Sequence, residues 1–275
     1  MKRFNPFAFA VASLFFAITV VSGGVAEATT LGYFRAEDGP GSSHSTWVNS
    51  ANASTPGTST GSSPVQNSTE VFGAVVPQTG AANTGSYYLD GTNSIRIGTG
   101  TDYSIGTGDF TLELWFKKTG AGVNQCLVCK THYSDQDTDW AAMVDDDFIR
   151  LNIHLNHPTY STQHYTTVFD GEWHHYSAVL DRSGGELRSY LDGDLINSIP
   201  WTQGAAEITS TQSVHIGQRS GTSGPNFFIG FIDEVRITQT ALLPNQFLNA
   251  VPEPSTALLL GLGLAGLAAG RRRIR

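Results

Sequence analysis

The chain has 275 residues, with 16 Lys and Arg against 24 Asp and Glu, a formal net charge of −8. Between its two apolar ends the imbalance is larger, because residues 29–252 hold 10 basic and 22 acidic side chains, a net charge of −12. This charge argues against nucleic acid as a partner, since nucleic-acid binding depends on basic surfaces, and it suits solubility and calcium binding outside the cell.

Residues 1–28 have the three parts of a signal peptide. Lys2 and Arg3 form a charged head, an uncharged apolar stretch follows, and the tripeptide AEA ending at Ala28 supplies small residues at a cleavage site. The pattern predicts an exported protein whose mature chain begins near Thr29.

Residues 251–275 form a second apolar end. The central stretch, residues 257–270, carries no charged side chain and is followed by an arginine cluster. At about 1.5 Å per residue a helix over this stretch would span roughly 21 Å, which is less than the roughly 30 Å hydrocarbon core of a bilayer. The arginines would face the cytoplasm, so the stretch predicts a temporary membrane helix.

The terminal pieces resemble the PEP-CTERM sorting signal in their order: a Pro-Glu-Pro stretch, a short apolar helix and the arginine cluster. The residues that carry the resemblance are Pro252, Glu253, Pro254, Arg271, Arg272 and Arg273. The resemblance implies a Gram-negative bacterium that makes extracellular polysaccharide, and an exosortase that recognises Pro-Glu-Pro and removes the helix. The mature protein would then be released or attached at the cell surface, as after processing of a GPI-type signal.

Residues 29–85 are predicted to hold a first strand, in LGYFRAEDGPG, followed by a long surface loop. Ser, Thr, Gly, Asn and Ala dominate the loop, and large apolar side chains are few.

Residues 86–248 differ from the preceding segment, because short apolar or alternating runs are separated there by Gly, Asp and Asn. FTLELWFKK alternates between apolar and mostly polar positions, RSGG at 182–185 predicts a hairpin turn, and DDD at 145–147 predicts a second turn. Helical periodicity is almost missing, apart from a short helix expected in ALLPNQF. The pattern predicts an all-β fold, a two-sheet antiparallel jelly-roll sandwich.

The order of these motifs resembles the laminin-G-like jelly roll of the concanavalin A-like lectin/glucanase superfamily. The motifs are YYLDG, DFTLELWFK, EWHHYSAVLDRSGGELRSYLDG, VHIGQRSG and FIGFIDEVRI. The resemblance implies a domain that begins near residue 31. The superfamily includes lectins, carbohydrate-binding modules, adhesion domains and glycosidases, so the fold alone does not decide the function.

Cys126 and Cys129 form a CxxC pair. Such a pair can be a redox centre or half of a zinc site, but the second half of a zinc site is missing, although His132 lies close by. On a regular strand, positions three apart point to opposite faces. Two interpretations of the pair remain: two buried thiols, or a local disulfide in a bulge. Both are favoured over a catalytic role.

Glycoside hydrolysis requires two carboxyls roughly 5–5.5 Å or 6.5–9.5 Å apart. The glucanases of the resembled superfamily carry them in a Glu-x-Asp-x-x-Glu pattern on one strand, which this sequence lacks. Glu113 stands alone in LELWF, and Asp233 and Glu234 are adjacent and predicted to face opposite sides. The sequence therefore predicts a non-enzymatic domain.

Two acidic groups are candidates for a Ca²⁺ cofactor, because hard oxygen ligands suit this ion. The first group is the loop SDQDTDW, where Asp135, Asp137 and Asp139 occupy alternate positions. The alternative for this loop is a solvated acidic segment.

The second group combines Asp233, in FIDEVRI, with the early residues Glu37 and Asp38. The resemblance implies this pairing, since jelly rolls of this kind often tie their terminal strands with a calcium ion. The alternative is that Asp233 only bonds the backbone at the last strand.

Lectin sites stack an aromatic ring on a sugar face and surround it with polar groups. The stretch NIHLNHPTYSTQHY is rich in His and Tyr. Trp115 and Trp173, in contrast, lie in strong strand motifs and are expected in the core. The histidine spacing matches no common zinc pattern. The candidate ligand-binding residues are Tyr133, Trp140, His154, His157, Tyr160, His164 and Tyr165.

Together these features predict an exported, exosortase-sorted protein at the cell surface or in the polysaccharide matrix. Its domain is predicted to bind carbohydrate or other matrix components without catalysis, and the membrane is a partner only through the C-terminal helix before processing. Two alternatives stay open: a glycoside hydrolase acting on extracellular polysaccharide, and a structural or adhesive matrix protein with no defined ligand.

Overall fold

The computed structural model describes residues 28–38, 46–61, 65–131, 138–156, 158–219 and 226–251, and of Asp38 only the backbone. The predicted signal peptide and sorting helix lie outside these ranges. Within them, no helix is long and apolar enough to cross a membrane.

The described ranges form strands and two 3₁₀ turns, Ala36–Asp38 and Pro244–Gln246. The second turn lies in the ALLPNQF segment, where a short helix is expected. In chain order the strands are β1 (Thr30–Phe34), β2 (Thr46–Trp47), β3 (Gly57–Gly61), β4 (Gln66–Ser68), β5 (Ser86–Asp90), β6 (Asn93–Gly98), β7 (Phe110–Lys118), β8 (Gln125–Lys130), β9 (Trp140–Val144), β10 (Phe148–His154), β11 (Thr159–Ser161), β12 (His164–Tyr165), β13 (His174–Asp181), β14 (Glu186–Leu191), β15 (Asp194–Pro200), β16 (Val214–Ile216) and β17 (Ile229–Thr238).

Two antiparallel sheets pack face to face around one core. The first sheet has the order β15-β14-β13-β7-β17-β5-β4, with β1 also paired to β17. The second has the order β11-β10-β9-β8-β16-β6-β3-β2, with β12 also paired to β10. The predicted all-β, two-sheet antiparallel sandwich is therefore confirmed.

The alternation read in FTLELWFKK appears in β7 at the centre of the first sheet. Its core-facing side chains come from every second position and are fully or almost fully buried: Phe110, Leu112, Leu114 and Phe116. The RSGG turn joins β13 to β14, and the DDD turn joins β9 to β10. Hydrophobic period and turn chemistry together specify this part of the fold.

The Ser/Thr/Gly-rich stretch contributes more than the predicted loop. It supplies β2 and β3 to one edge of the second sheet and β4 to one edge of the first. Trp47 explains part of this difference, because its fully buried ring lies edge-on to Tyr87 with centroids 4.6 Å apart. Its Nε1 also donates a hydrogen bond to Ser59 Oγ at 3.0 Å, so one large aromatic residue fixes an otherwise polar segment on the core.

Cys126 and Cys129 form a disulfide. A bulge lies between Cys126 and Val128 where β8 pairs with β9. The extra residue cancels the alternation, and both cysteines pack together against Ala141 and Met143, apart from the main core. Of the alternatives left open by the sequence, the structure has the local disulfide in a bulge.

Trp115 and Trp173 lie on the outer face of the first sheet, the face turned away from the second sheet. The Trp115 ring stacks on Phe72 with centroids 4.0 Å apart and planes 4° from parallel. Phe72 also meets Trp173 edge-on at 6.0 Å. The expectation that both tryptophans belong to the core between the sheets is therefore wrong.

Glu113 holds the C-terminal segment on this outer face. Its Oε1 accepts a hydrogen bond from Arg236 Nε at 2.6 Å, and its Oε2 accepts one from the backbone N–H of Leu248 at 2.7 Å. His175 Nε2 lies 3.3 Å from the same Oε2. Burial raises the pKa of Glu113, but His175 and the charge of Arg236 outweigh it and hold the pKa below its usual value.

We expect Glu113→Ala to lower the free energy of unfolding by about 3–5 kcal/mol, because it leaves the Arg236 charge without its buried partner. The half-exposed Glu186 is the control: its side chain is 48% exposed and lies 3.7 Å from Arg188. Glu186→Ala should cost less than about 1 kcal/mol. Urea unfolding followed by tryptophan fluorescence measures both, and equal losses would contradict an anchoring role for Glu113.

Candidate functional site

A bulge in β17 brings Asp233 and Glu234 to the same side of the first sheet. Against β7, Asp233 lies opposite Trp115 and Arg236 lies opposite Glu113, so β17 contains one extra residue. Glu234 has a positive φ of 52°, and both carboxylates are fully buried. The prediction that these adjacent residues face opposite sides is wrong, because strand alternation fails at a bulge.

Glu37 completes a group of three carboxylates, here called the acidic cluster: Glu37, Asp233 and Glu234. Oxygens of the three lie within 4.8 Å of one another. Glu37 belongs to the 3₁₀ turn after β1, and its Oε1 accepts hydrogen bonds from the backbone N–H groups of Thr84 (2.6 Å) and Gly85 (2.9 Å). The cluster therefore joins the start of the domain, the approach to β5 and the last strand.

Asp233 and Glu37, which the sequence analysis places in one candidate calcium site, lie together in the structure. Glu234 also belongs to the group. The sequence analysis does not include it, because a bulge cannot be recognised from the pattern of apolar residues. The side chain of Asp38, the other predicted ligand, is not among the side chains that the structure describes.

Two of the three carboxylates, Glu37 and Glu234, share the positive charge of Arg35. Its Nε donates to Glu234 Oε1 at 2.9 Å, and its Nη2 lies 3.5 Å from Glu37 Oε2. The Tyr33 hydroxyl also donates to Glu234. Burial raises the pKa of Asp233 well above its usual value, and the charges of Glu234 and Glu37 add to the effect. Burial raises the pKa of Glu234 as well, although Tyr33 and Arg35 oppose it.

The acidic cluster has the ligand chemistry for a calcium ion. Asp233 Oδ1 accepts a hydrogen bond from the backbone N–H of Glu234 at 2.8 Å, and the backbone N–H of Ala36 also acts to lower the pKa of Asp233. Oδ2 is buried and has no partner in hydrogen-bond geometry among the described residues. A buried acceptor without a partner costs free energy, and a hard cation coordinated by carboxylate oxygens would satisfy it. Glu37, Asp233 and Glu234 are the residues that would hold such an ion.

The other predicted calcium group is described only at its end. Asp135 and Asp137 lie outside the described residues. Asp139 is buried, and its Oδ1 lies 2.7 Å from Nδ1 of the nearly buried His154. The structure thus joins one predicted metal ligand to one predicted sugar ligand.

Most of the predicted sugar-binding residues that the structure describes do not present a free ring. Tyr133 and His157 lie outside the described residues. Trp140 is fully buried in the main core, where its Nε1 donates to the carbonyl oxygen of Tyr103 at 3.1 Å. The prediction that Trp140 stacks on a sugar is therefore wrong, because a ligand cannot reach its buried ring.

The remaining candidates lie at the edge of the second sheet. Tyr160 is half-buried, with its ring 4.9 Å from that of Trp201. His164 and Tyr165 form β12, and Tyr165 is 72% exposed. Tyr165 stays a candidate on these grounds.

The sequence-based candidates omit a shallow cavity of about 430 Å³ on the outer face of the first sheet. Its lining residues, here called the aromatic groove, are Gln66, Asn67, Ser68, Tyr88 and Phe231. Strand alternation could have found it, because Tyr88 and Phe231 each adjoin a core residue, Tyr87 and Ile232, and so point outward.

A GTSTG segment, which is β3, matches the spacing of a nucleophile elbow. Such an elbow requires the serine at a strand-to-helix turn. Ser59 instead lies within a strand and accepts the hydrogen bond from Trp47, so its hydroxyl has a structural role.

We expect Asp233→Asn to stabilise the protein in EDTA. A raised carboxyl pKa in the folded state means that folding stability is lost as pH rises above the usual 3.8, and the amide removes this loss. The free energy of unfolding of the wild type should therefore fall relative to the variant between pH 4 and pH 8, as measured by urea titrations.

In saturating Ca²⁺ the wild type should instead be more stable than Asp233→Asn. Saturating Ca²⁺ stabilises a binding protein by about 2.7 kcal/mol at 100 times the dissociation constant, and Asp233→Asn should lose this gain. Asp194→Asn, at an exposed position on β15, is the matched control and should keep it. A calcium response that survives in Asp233→Asn and disappears in Asp137→Ala would place the ion in the acidic loop instead.

The chain resembles known proteins in its fold and in its terminus. Residues 89–246 match the family model of the concanavalin A-like lectin/glucanases superfamily. Residues 250–273 match the PEP-CTERM protein-sorting motif, which indicates an exported, exosortase-sorted protein. A comparison with curated protein sequences gives no match.

Solved structures show the same sandwich. Domain 4 of AbnA, a GH43 extracellular arabinanase from Geobacillus stearothermophilus solved with arabinotriose, has a TM-score of 0.58 at 18% identity, covering 80% of this chain and 96% of that domain. The binding domain of Paraclostridial Mosquitocidal Protein 1 has a TM-score of 0.56 at 15% identity, covering 79% of this chain and 50% of that one. The botulinum neurotoxin serotype G binding domain has a TM-score of 0.53 at 12% identity, covering 79% and 49%.

These identities establish the shared fold alone. The family match, in contrast, spans more than half of the sequence. The chain therefore belongs to the concanavalin A-like lectin/glucanase superfamily.

Proposed function

We propose that this exported domain binds carbohydrate without catalysis, at the cell surface or in the extracellular polysaccharide matrix. A Ca²⁺ ion in the acidic cluster would tie the turn after β1 to β17 and so hold the two ends of the domain together. The membrane would be a partner only until the exosortase has removed the terminal helix.

The observation that supports a non-catalytic domain is the burial of three acidic side chains at the centre of the first sheet, on β7 and β17. Glu113, Asp233 and Glu234 are fully buried. Glu113 is held by Arg236 and a backbone amide, and Glu234 is held by Tyr33 and Arg35. Carboxyls in such contacts are poorly placed to donate a proton to a glycosidic oxygen, which a hydrolase requires.

The similarity in fold supports carbohydrate as the ligand class. The arabinanase domain is matched over nearly its whole length, and its structure contains arabinotriose. A sorting signal associated with polysaccharide-producing bacteria supports a ligand outside the cell.

We expect the full-length chain, purified in mild detergent, to bind at least one member of a glycan array or the polysaccharide of its own host in calcium buffer. EDTA should weaken that binding, because loss of the ion loosens the turn that carries Glu37. Release of reducing sugar during the same incubation would favour the glycoside hydrolase. No binding in either buffer would favour a structural matrix protein.

We expect Pro254→Ala to leave unprocessed protein in the membrane fraction, because the exosortase would no longer recognise its site. Pro158→Ala, at an exposed position in the folded domain, is the matched control and should be processed normally. Immunoblots of membrane and surface fractions measure both. Normal processing of Pro254→Ala would contradict recognition through Pro-Glu-Pro.

A further inference from the structure

The aromatic groove lies on a cross-strand row of the first sheet. Gln66 of β4 pairs with Tyr88 of β5, and Tyr88 pairs with Phe231 of β17. Phe231 in turn pairs with Lys117 of β7. Directly opposed residues in antiparallel strands share a face, so these four side chains form one continuous strip on the outer surface.

We propose that this strip binds a neutral sugar ring within a polysaccharide chain. The ring would stack on Tyr88 and Phe231, and its hydroxyls would bond to the side chains of Gln66 and Ser68. The inference rests on the proposed carbohydrate-binding function and moves the site away from the His- and Tyr-rich segment of the second sheet.

Tyr88 is the exposed ring of the strip, and the half-buried ring of Phe231 packs beside it. Tyr88 is 38% exposed, and its ring centroid lies 5.1 Å from that of Phe231 at an angle of 42°. The Trp173 ring centroid lies 6.3 Å from that of Phe231. Aromatic ring faces in contact with solvent suit the apolar face of a sugar.

The charge of the groove selects a neutral, hydroxyl-rich ligand. Its five lining residues include no acidic or basic side chain, and Lys117 at the end of the row is paired with Glu70 at 3.0 Å. A phosphate, sulfate or uronate would therefore lack a free cation in the groove. The Ser68 Oγ already accepts a hydrogen bond from the backbone N–H of Glu70 at 3.1 Å, but a purely apolar partner would cover the amide of Gln66 without giving it a hydrogen bond, which costs free energy.

The groove is preformed and of suitable size. Its volume of about 430 Å³ falls within the roughly 300–1,000 Å³ of small-molecule sites. Asn67 Nδ2 donates to the carbonyl oxygen of Ala36 at 3.0 Å, which fixes the edge strand β4 against the turn that carries Glu37. The groove would therefore need little rearrangement when the ligand binds, and ordering its side chains would cost little free energy.

Calorimetric titration of the full-length chain in calcium buffer tests the inference, with neutral arabinan, neutral glucan and anionic alginate as probes. We expect Tyr88→Leu and Phe231→Leu each to weaken binding of a neutral polymer about tenfold, since they remove the ring and keep apolar volume. Tyr88→Phe should retain binding. Phe169→Leu is the matched control, because Phe169 is 37% exposed and lies between β12 and β13, outside the residues that line the groove.

Gln66→Ala, at an exposed edge position, keeps the test valid if a ring variant fails to fold as judged by circular dichroism. It should weaken binding while leaving the melting temperature unchanged. Saturating polymer should also change the tryptophan fluorescence of the wild type, because Trp173 adjoins Phe231.

Three results would overturn the inference, and they differ in what they leave standing. If Tyr88→Leu, Phe231→Leu and Phe169→Leu all bind neutral polymer as tightly as the wild type does, the proposed function stands and this site is rejected. Binding to alginate alone rejects the neutral ligand. A wild type that binds none of the three probes or its host's polysaccharide rejects the proposed function together with the site.

Discussion

One extra residue in β17 determines how the outer face of the first sheet is built. The bulge between Asp233 and Arg236 turns two consecutive carboxylates toward the same side. Buried acids in such proximity repel each other and favour the protonated form unless a cation or donors compensate. Arg35, Tyr33 and the amides of Thr84 and Gly85 supply part of that compensation, and a bound Ca²⁺ would supply the rest.

The same strand connects the acidic cluster to the aromatic groove. Phe231 and Asp233 are two positions apart on β17, opposite Lys117 and Trp115 of β7, so they share the outer face. Asn67 links the groove to the turn that holds Glu37. A cation that fixes this turn would therefore also fix one wall of the groove, which gives a physical reason for the proposed calcium-dependent binding.

Regular alternation made the fold predictable from the sequence, and irregularity hid the sites. The period of two in β7 specified which of its side chains enter the core, and Gly- and Asp-rich turns marked the hairpins. The period fails at Cys126 and at Asp233, because a bulge adds a residue without changing the apolar pattern. The groove was missed for another reason: alternation places Tyr88 and Phe231 on the outer face, but only the strand register shows that they lie side by side.

A crystal structure of the protein with Ca²⁺ and a bound neutral oligosaccharide would locate both ligands at once. We expect anomalous calcium density between Glu37, Asp233 and Glu234, and a sugar ring stacked on Tyr88 and Phe231. An acidic cluster without a cation at saturating calcium, together with a sugar bound at the edge of the second sheet near Tyr165, would show that both proposed sites are wrong.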